Sequence, residues 1–361
     1  MLYLDNAATT GVRREALEAM WPYLTGTFGN PSSPHAFGVA AAAGLKGARE
    51  TIARAMGKRA SQITFTAGGT EADNLAIKGI ALANPRGRHI ISTPLEHDAV
   101  LESLDYLRRF HGFEISMLTP DTYGQVSAAE LKELSREDTT LVSVHYGNNE
   151  IGTIQPIAEL ARATSAPFHV DAVQATHLPL DLDVSAISIS GHKVGAPKGI
   201  GALWCKAPLE PVIHGGGQEK GRRSGTENVA GAVAFATALS LAREEQMPDL
   251  SGFIAAALEI EGAQLTGHPN MRLPGHASFV FAGTGAETVL LELERRGVIC
   301  SPGSACGSGE VSHVLLSLGF AEDLARTSVR FTFSASHSAT DVDFVARALR
   351  DSVEAVRNSF T

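Results

Sequence analysis

The sequence predicts an α/β fold in which a large domain with a doubly wound, mostly parallel sheet joins a smaller α+β domain. Short apolar runs alternate with helical stretches from about residue 60, which is the rhythm of βαβ units. After the glycine run at 215–217 the pattern changes to longer helical stretches with a few separated strands. The length of 361 residues exceeds what one core usually holds, which also favours two domains.

The predicted strands of the large domain follow one another along the chain at 63–66, 89–93, 114–118, 140–146, 168–171, 184–190 and 200–205. The smaller domain has predicted strands at 277–282 and 328–334, with helices across roughly 226–262, at 286–296 and at the end of the chain. Prolines at 248 and 269 break helices and place the boundary near 250–270. We therefore predict a large domain over 11–255, with 1–10 and 256–361 forming the smaller one.

Composition and charge favour a small-molecule substrate and a cytoplasmic location. Thirty Lys and Arg against 39 Asp and Glu give a net charge of -9 without a block of like charge, so no nucleic-acid partner is expected. The first residues lack a basic region before an apolar core, which argues against a secretory signal. The longest uncharged apolar stretch, 228–242, is shorter than the roughly 20 residues of a spanning helix, so we expect no membrane span.

A lysine follows directly on a predicted strand in Ser190-Gly-His-Lys193. In a parallel sheet this position lies at the carboxyl edge, where the active sites of such folds are found. Burial lowers the pKa of a lysine, and the free amine can then attack an aldehyde. A surface lysine is the simpler alternative, and Lys198 in the next turn is a competitor.

An acid ends the predicted strand Phe168–Asp171, and an amide, Gln174, follows one turn later. Pyridoxal phosphate is an electron sink only while its ring nitrogen is protonated, and a buried Asp next to that nitrogen keeps it so. Asp171 would suit this task, with Gln174 near the phenolic oxygen of the cofactor. The alternative is that Asp171 caps the following helix.

Two further segments at strand ends suit a phosphate and a flat ring. The sequence Gly68-Gly69-Thr70 leads from a strand into a helix, which directs backbone N–H groups at a phosphate. Because no intact GxGxxG occurs, a single phosphate is indicated rather than a dinucleotide. His97 follows the next strand and could stack on a ring and exchange protons, although a lone histidine is more often structural.

Cys306 lies among small residues, from Ser301 to Gly309, in a segment typical of a loop. Cysteines usually lie in cores, and Cys205 and Cys300, which follow apolar runs, are predicted core residues. The three cysteines have neither the number for a disulfide framework nor a zinc-type spacing. A functional cysteine here would act as a thiol.

These segments together resemble the cysteine desulfurases of the class V aminotransferase group, which have the type I pyridoxal-phosphate fold. The matching segments run in order along nearly the whole chain: Tyr3-Leu-Asp-Asn-Ala-Ala-Thr-Thr10, Gly29-Asn-Pro-Ser-Ser33, Gly68-Gly-Thr-Glu71, Glu96-His97, Asn148-Asn-Glu-Ile-Gly152, Asp171-Ala-Val-Gln174, Gly191-His-Lys193, His214-Gly-Gly-Gly-Gln218, Arg223-Ser-Gly-Thr226, Gly303-Ser-Ala-Cys306 and Arg330-Phe. The Gly-Ser-Ala-Cys segment is similar to that of the iron-sulfur-cluster and nitrogenase-associated enzymes. The resemblance implies a seven-stranded type of sheet in the large domain and a cysteine loop in the smaller one. The segment after Cys306 is a residue or two shorter than in relatives and lacks their proline.

The resemblance also implies a role for each candidate residue. Lys193 would bind pyridoxal 5'-phosphate through its aldehyde, Asp171 would pair with the ring nitrogen, and His97 would stack on the ring. The implied catalytic residues are Lys193, Cys306, His97 and Asp171. The implied cofactor-binding residues are Gly69, Thr70, His97, Asn148, Asp171, Gln174, Ser190, His192, Lys193 and Thr226, the last reaching the phosphate of the partner subunit in a homodimer. Arg330 and Asn148 are implied in substrate binding, Arg330 through a bidentate pair with the substrate carboxylate.

The implied activity converts L-cysteine to L-alanine and holds the sulfur as a persulfide on Cys306. The sulfur would pass to an acceptor protein such as an iron-sulfur scaffold, for cluster or thio-cofactor biosynthesis. We hypothesise that His97 deprotonates the incoming thiol, that Lys193 moves the α-proton, and that the Cys306 thiolate attacks the substrate sulfur. No resident metal is expected, and Cys306 is a candidate ligand of a transferred iron-sulfur cluster. The alternatives are a selenocysteine or carbon-sulfur lyase, a class V aminotransferase, and a non-catalytic scaffold.

Overall fold

A computed structural model of the protein describes residues 1–83, 85–303 and 311–359. The strands are β1 Leu2–Tyr3, β2 Ile63–Thr66, β3 His89–Ser92, β4 Glu114–Met117, β5 Thr139–His145, β6 Phe168–Asp171, β7 Ala186–Ser190, β8 Gly201–Cys205, β9 Ala263–Leu265, β10 His276–Phe281, β11 Val298–Ile299 and β12 Val329–Thr332. The helices are α1 Arg14–Thr25, α2 Ala36–Ala55, α3 Gly69–Ala83, α4 Asp98–His111, α5 Ala128–Leu134, α6 Ile157–Ala163, α7 Val229–Ala242, α8 Ser251–Leu258, α9 Ala286–Arg295, α10 His313–Ser317, α11 Glu322–Ala325 and α12 Ala339–Asn358.

A seven-stranded sheet with the order β2-β8-β7-β6-β5-β3-β4 forms the centre of the molecule. Strand β8 is antiparallel to both of its neighbours, and all the other pairs are parallel. The predicted mostly parallel sheet is thus confirmed, and so is its strand number. Every residue of β3, β5, β6, β7 and β8 is buried, as is typical of strands covered on both faces.

Helices cover both faces of this sheet. On one face α3 and α4 pack their apolar side chains, such as Leu75 and Leu104, against β3, β5 and β8. On the other face Ile52 of α2 and Phe235 of α7 belong to the larger core. Helix α7 also contacts α1, which explains why the stretch at 228–242 is apolar on nearly every side. The doubly wound arrangement brings the carboxyl ends of the parallel strands to one open edge.

A second core surrounds the antiparallel sheet β12-β10-β9, where Phe279 and Phe331 pack together. The N-terminus joins this core, because β1 pairs with β11 and Leu4 is buried there. Residues 2–4 thus contact the C-terminal part, and the division of the chain into two domains stays a prediction. The second core already includes Leu250 and Phe253, a few residues before the predicted boundary.

The predicted helical stretch at 226–262 is two helices, α7 and α8, because the chain leaves helical geometry around Pro248. The short strands β1, β9 and β11 were not predicted, since two or three residues show no periodicity. No helix in the described part of the chain has the length and apolar character to cross a membrane.

Candidate active site

A cavity of about 940 Å³ opens at the carboxyl edge of the large sheet, between it and the second core. The chain segments that follow β2, β3, β6 and β7 all contribute to its wall. Nine of the predicted site residues line it: Gly69, Thr70, His97, Asp171, Gln174, Ser190, His192 and Lys193 from the side of the large sheet, and Arg330 from β12. The sequence therefore predicted part of this wall, some of it from strand ends and the rest from the family resemblance.

One end of the cavity is suited to an anion. Helix α3 begins at Gly69, so its first N–H groups have no partner within the helix. A side chain at Gly69 would bring its Cβ within 2.7 Å of Val173 Cγ2, so only glycine keeps the backbone open here. Ser190, at the end of β7, has a buried hydroxyl with no hydrogen-bond partner. Exposed Thr70 completes this end.

Two carboxyl groups lie deep in the cavity. Asp171 Oδ1 accepts a hydrogen bond from the N–H of Val173 at 2.9 Å, and burial raises the pKa of Asp171. Asp73, on α3, is buried with Oδ1 unpartnered, and burial followed by the charge of Asp171 raises its pKa well above the usual range. His169 Nε2 lies 3.6 Å from Asp73 Oδ1, and burial lowers the pKa of His169 to about 3. Burial therefore favours the neutral form of both Asp73 and His169.

Asp73 was missed by the sequence-based prediction. An acid between Ala72 and Leu75, on the apolar side of a predicted helix, was the available signal. Buried acids are rare without a partner or a function.

Lys193 ends the short 3-10 helix Gly191–Lys193 and is directed into the cavity. Its Nζ donates to the backbone carbonyls of Ala7 and Ala8, the latter at 2.9 Å. Burial, followed by the nearby Arg330, lowers the pKa of Lys193 to about 8. Gln174 Nε2 donates to the same Ala7 carbonyl at 2.9 Å. The N-terminal segment thus holds both side chains in place.

Two histidines at the cavity have their Nδ1 atoms engaged. His97 is the N-cap of α4, where its Nδ1 accepts from the N–H of Ala99 at 3.0 Å. The neutral His97 ring consequently carries its proton on Nε2. His192 Nδ1 lies 3.2 Å from Thr9 Oγ1, and burial followed by the charge of Lys193 lowers the pKa of His192 to about 4.

Asn148 does not line the cavity, and its side chain serves the local backbone. Its Nδ2 donates to the carbonyl of Leu95 at 2.9 Å, and its Oδ1 accepts from the N–H groups of Glu150 and Ile151. The adjacent Asn149 lines the cavity instead. The structure thus does not bring Asn148 together with the other predicted residues.

Arg330 is buried on β12 and reaches the cavity from the side of the second core. Its Nη2 donates to Oδ1 of Asp5 at 2.8 Å, and its Nη1 donates to the carbonyl of Asn149 at 2.8 Å. Its Nε is buried and has no partner. A guanidinium held in this way keeps one donor unused.

Besides Asn148, two further predicted residues are not among those that line the cavity. Thr226 is exposed, and the cavity of its own chain is lined by other residues. Cys306 lies outside the described residues. Among the described residues, no three His, Cys, Asp or Glu side chains are close enough together to hold a metal ion.

The residues present fit pyridoxal 5'-phosphate. The N-terminus of α3 and the unpartnered hydroxyl of Ser190 suit a phosphate, and Asp171 suits a protonated ring nitrogen. Lys193, with its lowered pKa, suits the aldehyde. The cavity is large enough for the cofactor and a small amino acid.

Both the sequence and the fold of this chain are similar to those of known proteins. The model of the class V aminotransferase family matches residues 2–345. Cysteine desulfurase IscS of Methanosarcina thermophila is 43% identical over 376 aligned residues, covering 99% of this chain and 93% of that protein. The solved structure of a NifS-like protein has a TM-score of 0.89 at 34% identity and covers 98% of this chain and 99% of its own. The structure of SspA in complex with cysteine has a TM-score of 0.82 at 34% identity, and the match covers 94% of this chain and 100% of the SspA chain.

The chain belongs to the class V aminotransferase family, the class that its fold and cavity define. Within that family it is a cysteine desulfurase, and its cofactor is pyridoxal 5'-phosphate.

Proposed function

We propose that the enzyme takes the sulfur from L-cysteine, leaves L-alanine, and holds the sulfur as a persulfide on Cys306. The observation that carries this proposal is the convergence of Lys193, Asp171, Ser190 and Arg330 on one cavity. The complex of the relative SspA with cysteine supports the choice of substrate.

The cofactor would be held at both of its ends. Gly69, Thr70, Ser190 and His192 are proposed to bind its phosphate, and Asp171 its ring nitrogen. When bound, pyridoxal phosphate supplies an electron sink for the carbon next to the substrate amine. The raised pKa of Asp171 reflects its burial, and a protonated ring nitrogen beside it would favour the ionised carboxylate.

Lys193 is proposed to move the proton of the substrate α-carbon. Its pKa of about 8 keeps a sizeable fraction of the amine neutral near neutral pH, so it can accept a proton. The carbonyls of Ala7 and Ala8 would orient it. Arg330 would bind the substrate carboxylate through its free Nε, and we propose Asn149 rather than Asn148 as the amide near the substrate.

His97 was hypothesised to deprotonate the substrate thiol. That role requires a basic ring nitrogen on the cavity side, but Nδ1 accepts the Ala99 N–H and leaves the proton on Nε2. In this conformation His97 can donate a hydrogen bond through its Nε2–H. We therefore propose ring stacking and hydrogen-bond donation through Nε2–H as its roles.

A homodimer is proposed because the molecule exposes Thr226 together with a cluster of large apolar side chains. The cluster comprises Leu17, Trp21, Leu24, Phe28 and Phe37 on α1, α2 and the loop between them. The Phe28 and Phe37 rings pack 5.6 Å apart in it. Exposed apolar side chains grouped in this way are typical of an interface between subunits.

The sulfur acceptor is proposed to be a protein thiol, such as that of an iron-sulfur scaffold. The similarity of the Gly303-Ser-Ala-Cys306 segment to cluster-associated enzymes supports this choice. A cytoplasmic location remains a prediction from the sequence.

The proposal is tested by measuring alanine formed from L-cysteine in the presence of a reducing thiol. Cys306→Ala is expected to abolish alanine formation while cofactor binding persists, and Cys205→Ala is expected to leave it unchanged. Cys205 is a suitable control because burial raises the pKa of its thiol to about 11. Full activity in Cys306→Ala would favour a carbon-sulfur lyase or an aminotransferase, neither of which needs that nucleophile.

A further inference from the structure

The segment from Ile213 to Thr226, here the 213–226 loop, contains an unusual pair of backbone conformations. Glu219 and Lys220 have φ angles of 49° and 61° and are the two non-glycine residues with positive φ in the described chain. Left-handed backbone is unfavourable for residues with a Cβ and persists when the surroundings enforce it. The contacts of Glu219 show what enforces it here.

The Glu219 carboxylate is buried and forms a bidentate ion pair with Arg49 of α2, at 2.6 and 2.7 Å. Glu219 Oε2 also accepts from the N–H of Phe65 at 3.0 Å, and Arg49 Nη1 donates to the carbonyl of Ile63 at 2.8 Å. Strand β2 is an edge strand, so these backbone groups have no strand partner on that side. The ion pair therefore satisfies the outer edge of β2 as a neighbouring strand would.

A second connection joins the loop to the turn between β2 and α3. Arg223 Nε donates to Glu71 Oε1 at 2.9 Å, and Glu71 Oε2 accepts from the N–H of Ala67 at 2.9 Å. Within the loop, Gly225 N–H donates to Gln218 Oε1 at 2.9 Å. The 213–226 loop, which carries Thr226, is thus bonded to the chain before and after the turn between β2 and α3. That turn forms the proposed phosphate end of the cavity in the same chain.

We propose that Glu219, through its pair with Arg49, is a positioning residue that sets Thr226 for the cofactor phosphate of the partner subunit. The inference rests on the proposed homodimer and on the proposed role of Thr226. The alternative is that the ion pair between Glu219 and Arg49 stabilises the edge of β2 and has no effect on Thr226. The two cases differ in which site loses cofactor affinity when the ion pair is broken. Loss of edge stability would affect the site of the same chain, whereas a displaced Thr226 would affect the site of the partner subunit.

Mixed dimers separate the two cases. Each contains one chain with Lys193→Ala, so the visible absorbance of lysine-bound cofactor reports only the site of the other chain. The chain that keeps Lys193 is called the reporting chain, and its cofactor site is the reporting site. The chain with Lys193→Ala is called the lending chain, because its 213–226 loop would supply Thr226 to the reporting site. Glu219→Gln is introduced either in the lending chain or in the reporting chain. Cofactor affinity is measured by titrating pyridoxal phosphate into each apo mixed dimer. Glu259→Gln, which breaks an exposed ion pair with Arg350, is the control.

On the lending chain, Glu219→Gln is expected to weaken cofactor binding at the reporting site by about tenfold, the usual loss for a charged hydrogen bond. On the reporting chain, it is expected to change the affinity by less than about twofold. A loss of equal size in both arrangements, or no loss in either, would overturn the inference. Lys220→Gly, which removes the cost of left-handed backbone, should restore part of the lost affinity.

Thr226→Ala in the same two arrangements separates this inference from the proposal beneath it. If Thr226→Ala causes no loss on the lending chain, the cross-subunit role of Thr226 fails, and this inference fails with it. If Thr226→Ala causes that loss and Glu219→Gln does not, this inference alone is overturned. Should Glu219→Gln not fold, Arg49→Lys replaces it with the same expected pattern, since lysine keeps the charge and loses the fork.

Discussion

Arg330 donates a hydrogen bond to Asp5 at 2.8 Å, so the buried guanidinium already holds a carboxylate of its own chain. The two residues are 325 positions apart in sequence, and the pair joins the N-terminal segment to β12 beside the cavity. Asp5 compensates part of the buried positive charge while Nε stays unused. The arginine is therefore oriented before a substrate arrives.

Arg330→Lys is expected to raise KM for L-cysteine by about ten- to a hundredfold. Lysine keeps the charge, but its single ammonium cannot hold both Asp5 and Asn149 and still offer a free donor, as the guanidinium does with Nε. Steady-state alanine formation measures the change, and Arg350→Lys on the surface serves as the control. An unchanged KM would show that the substrate carboxylate is bound elsewhere.

The rate at which the apoprotein takes up pyridoxal phosphate should rise with pH and reach half its maximum near pH 8. Only the neutral amine attacks an aldehyde, and burial lowers the pKa of Lys193 to about 8. The absorbance change on mixing gives the rate. Lys198→Ala, at an exposed position, should follow the same curve. A midpoint near the ordinary lysine pKa of about 10.4 would contradict the lowered value.

Substitutions of His97 should separate its capping role from its role in the cavity. His97→Ala is expected to lower the free energy of unfolding by about 1 kcal/mol through loss of the N-cap of α4, whereas asparagine caps well and should retain it. Both variants should lose activity, because both lack the ring. Urea unfolding and alanine formation are the two measurements.

Ser127→Ala is the matched control for this pair, since Ser127 caps α5 away from the cavity. It should lose stability and keep activity. Full activity in His97→Asn would argue against any role for the ring.

Asp73→Asn should become more stable relative to wild type as the pH rises. Burial raises the pKa of Asp73 in the folded protein well above the value of about 3.9 in the unfolded chain. Stability linked to this group is therefore full below about pH 4 and declines as the pH rises toward the folded pKa, by up to about 1.4 kcal/mol per pH unit. Asparagine does not titrate, so the free energy of unfolding of the variant lacks this decline with rising pH.

Urea unfolding of the apoproteins at about pH 5 and about pH 8 measures the difference. Asp343→Asn, at an exposed position on α12, is the control and should show no such trend. A difference between Asp73→Asn and wild type that does not change with pH would mean that the Asp73 carboxyl is already ionised when folded.

Residues at strand ends could be predicted because the chain order of a βαβ pattern determines which ends share an edge. Asp171, Ser190 and Lys193 follow buried strands, and the parallel sheet brings them together as expected. Asn148 shows the limit of this reasoning. Two adjacent asparagines offer the same side chain, and only the hydrogen bonds of the turn decide that Asn149 lines the cavity.

By itself the sequence determined the fold class, the mostly parallel sheet, the family resemblance and the residue types that suit the cofactor, because periodicity and ordered motifs are local properties. The tertiary structure alone decided that Asp5 meets Arg330, that Asp73 faces His169, and that Glu219 caps the edge of β2. These pairs join segments far apart in the chain. Their energies depend on burial and on distances that appear only when the elements pack.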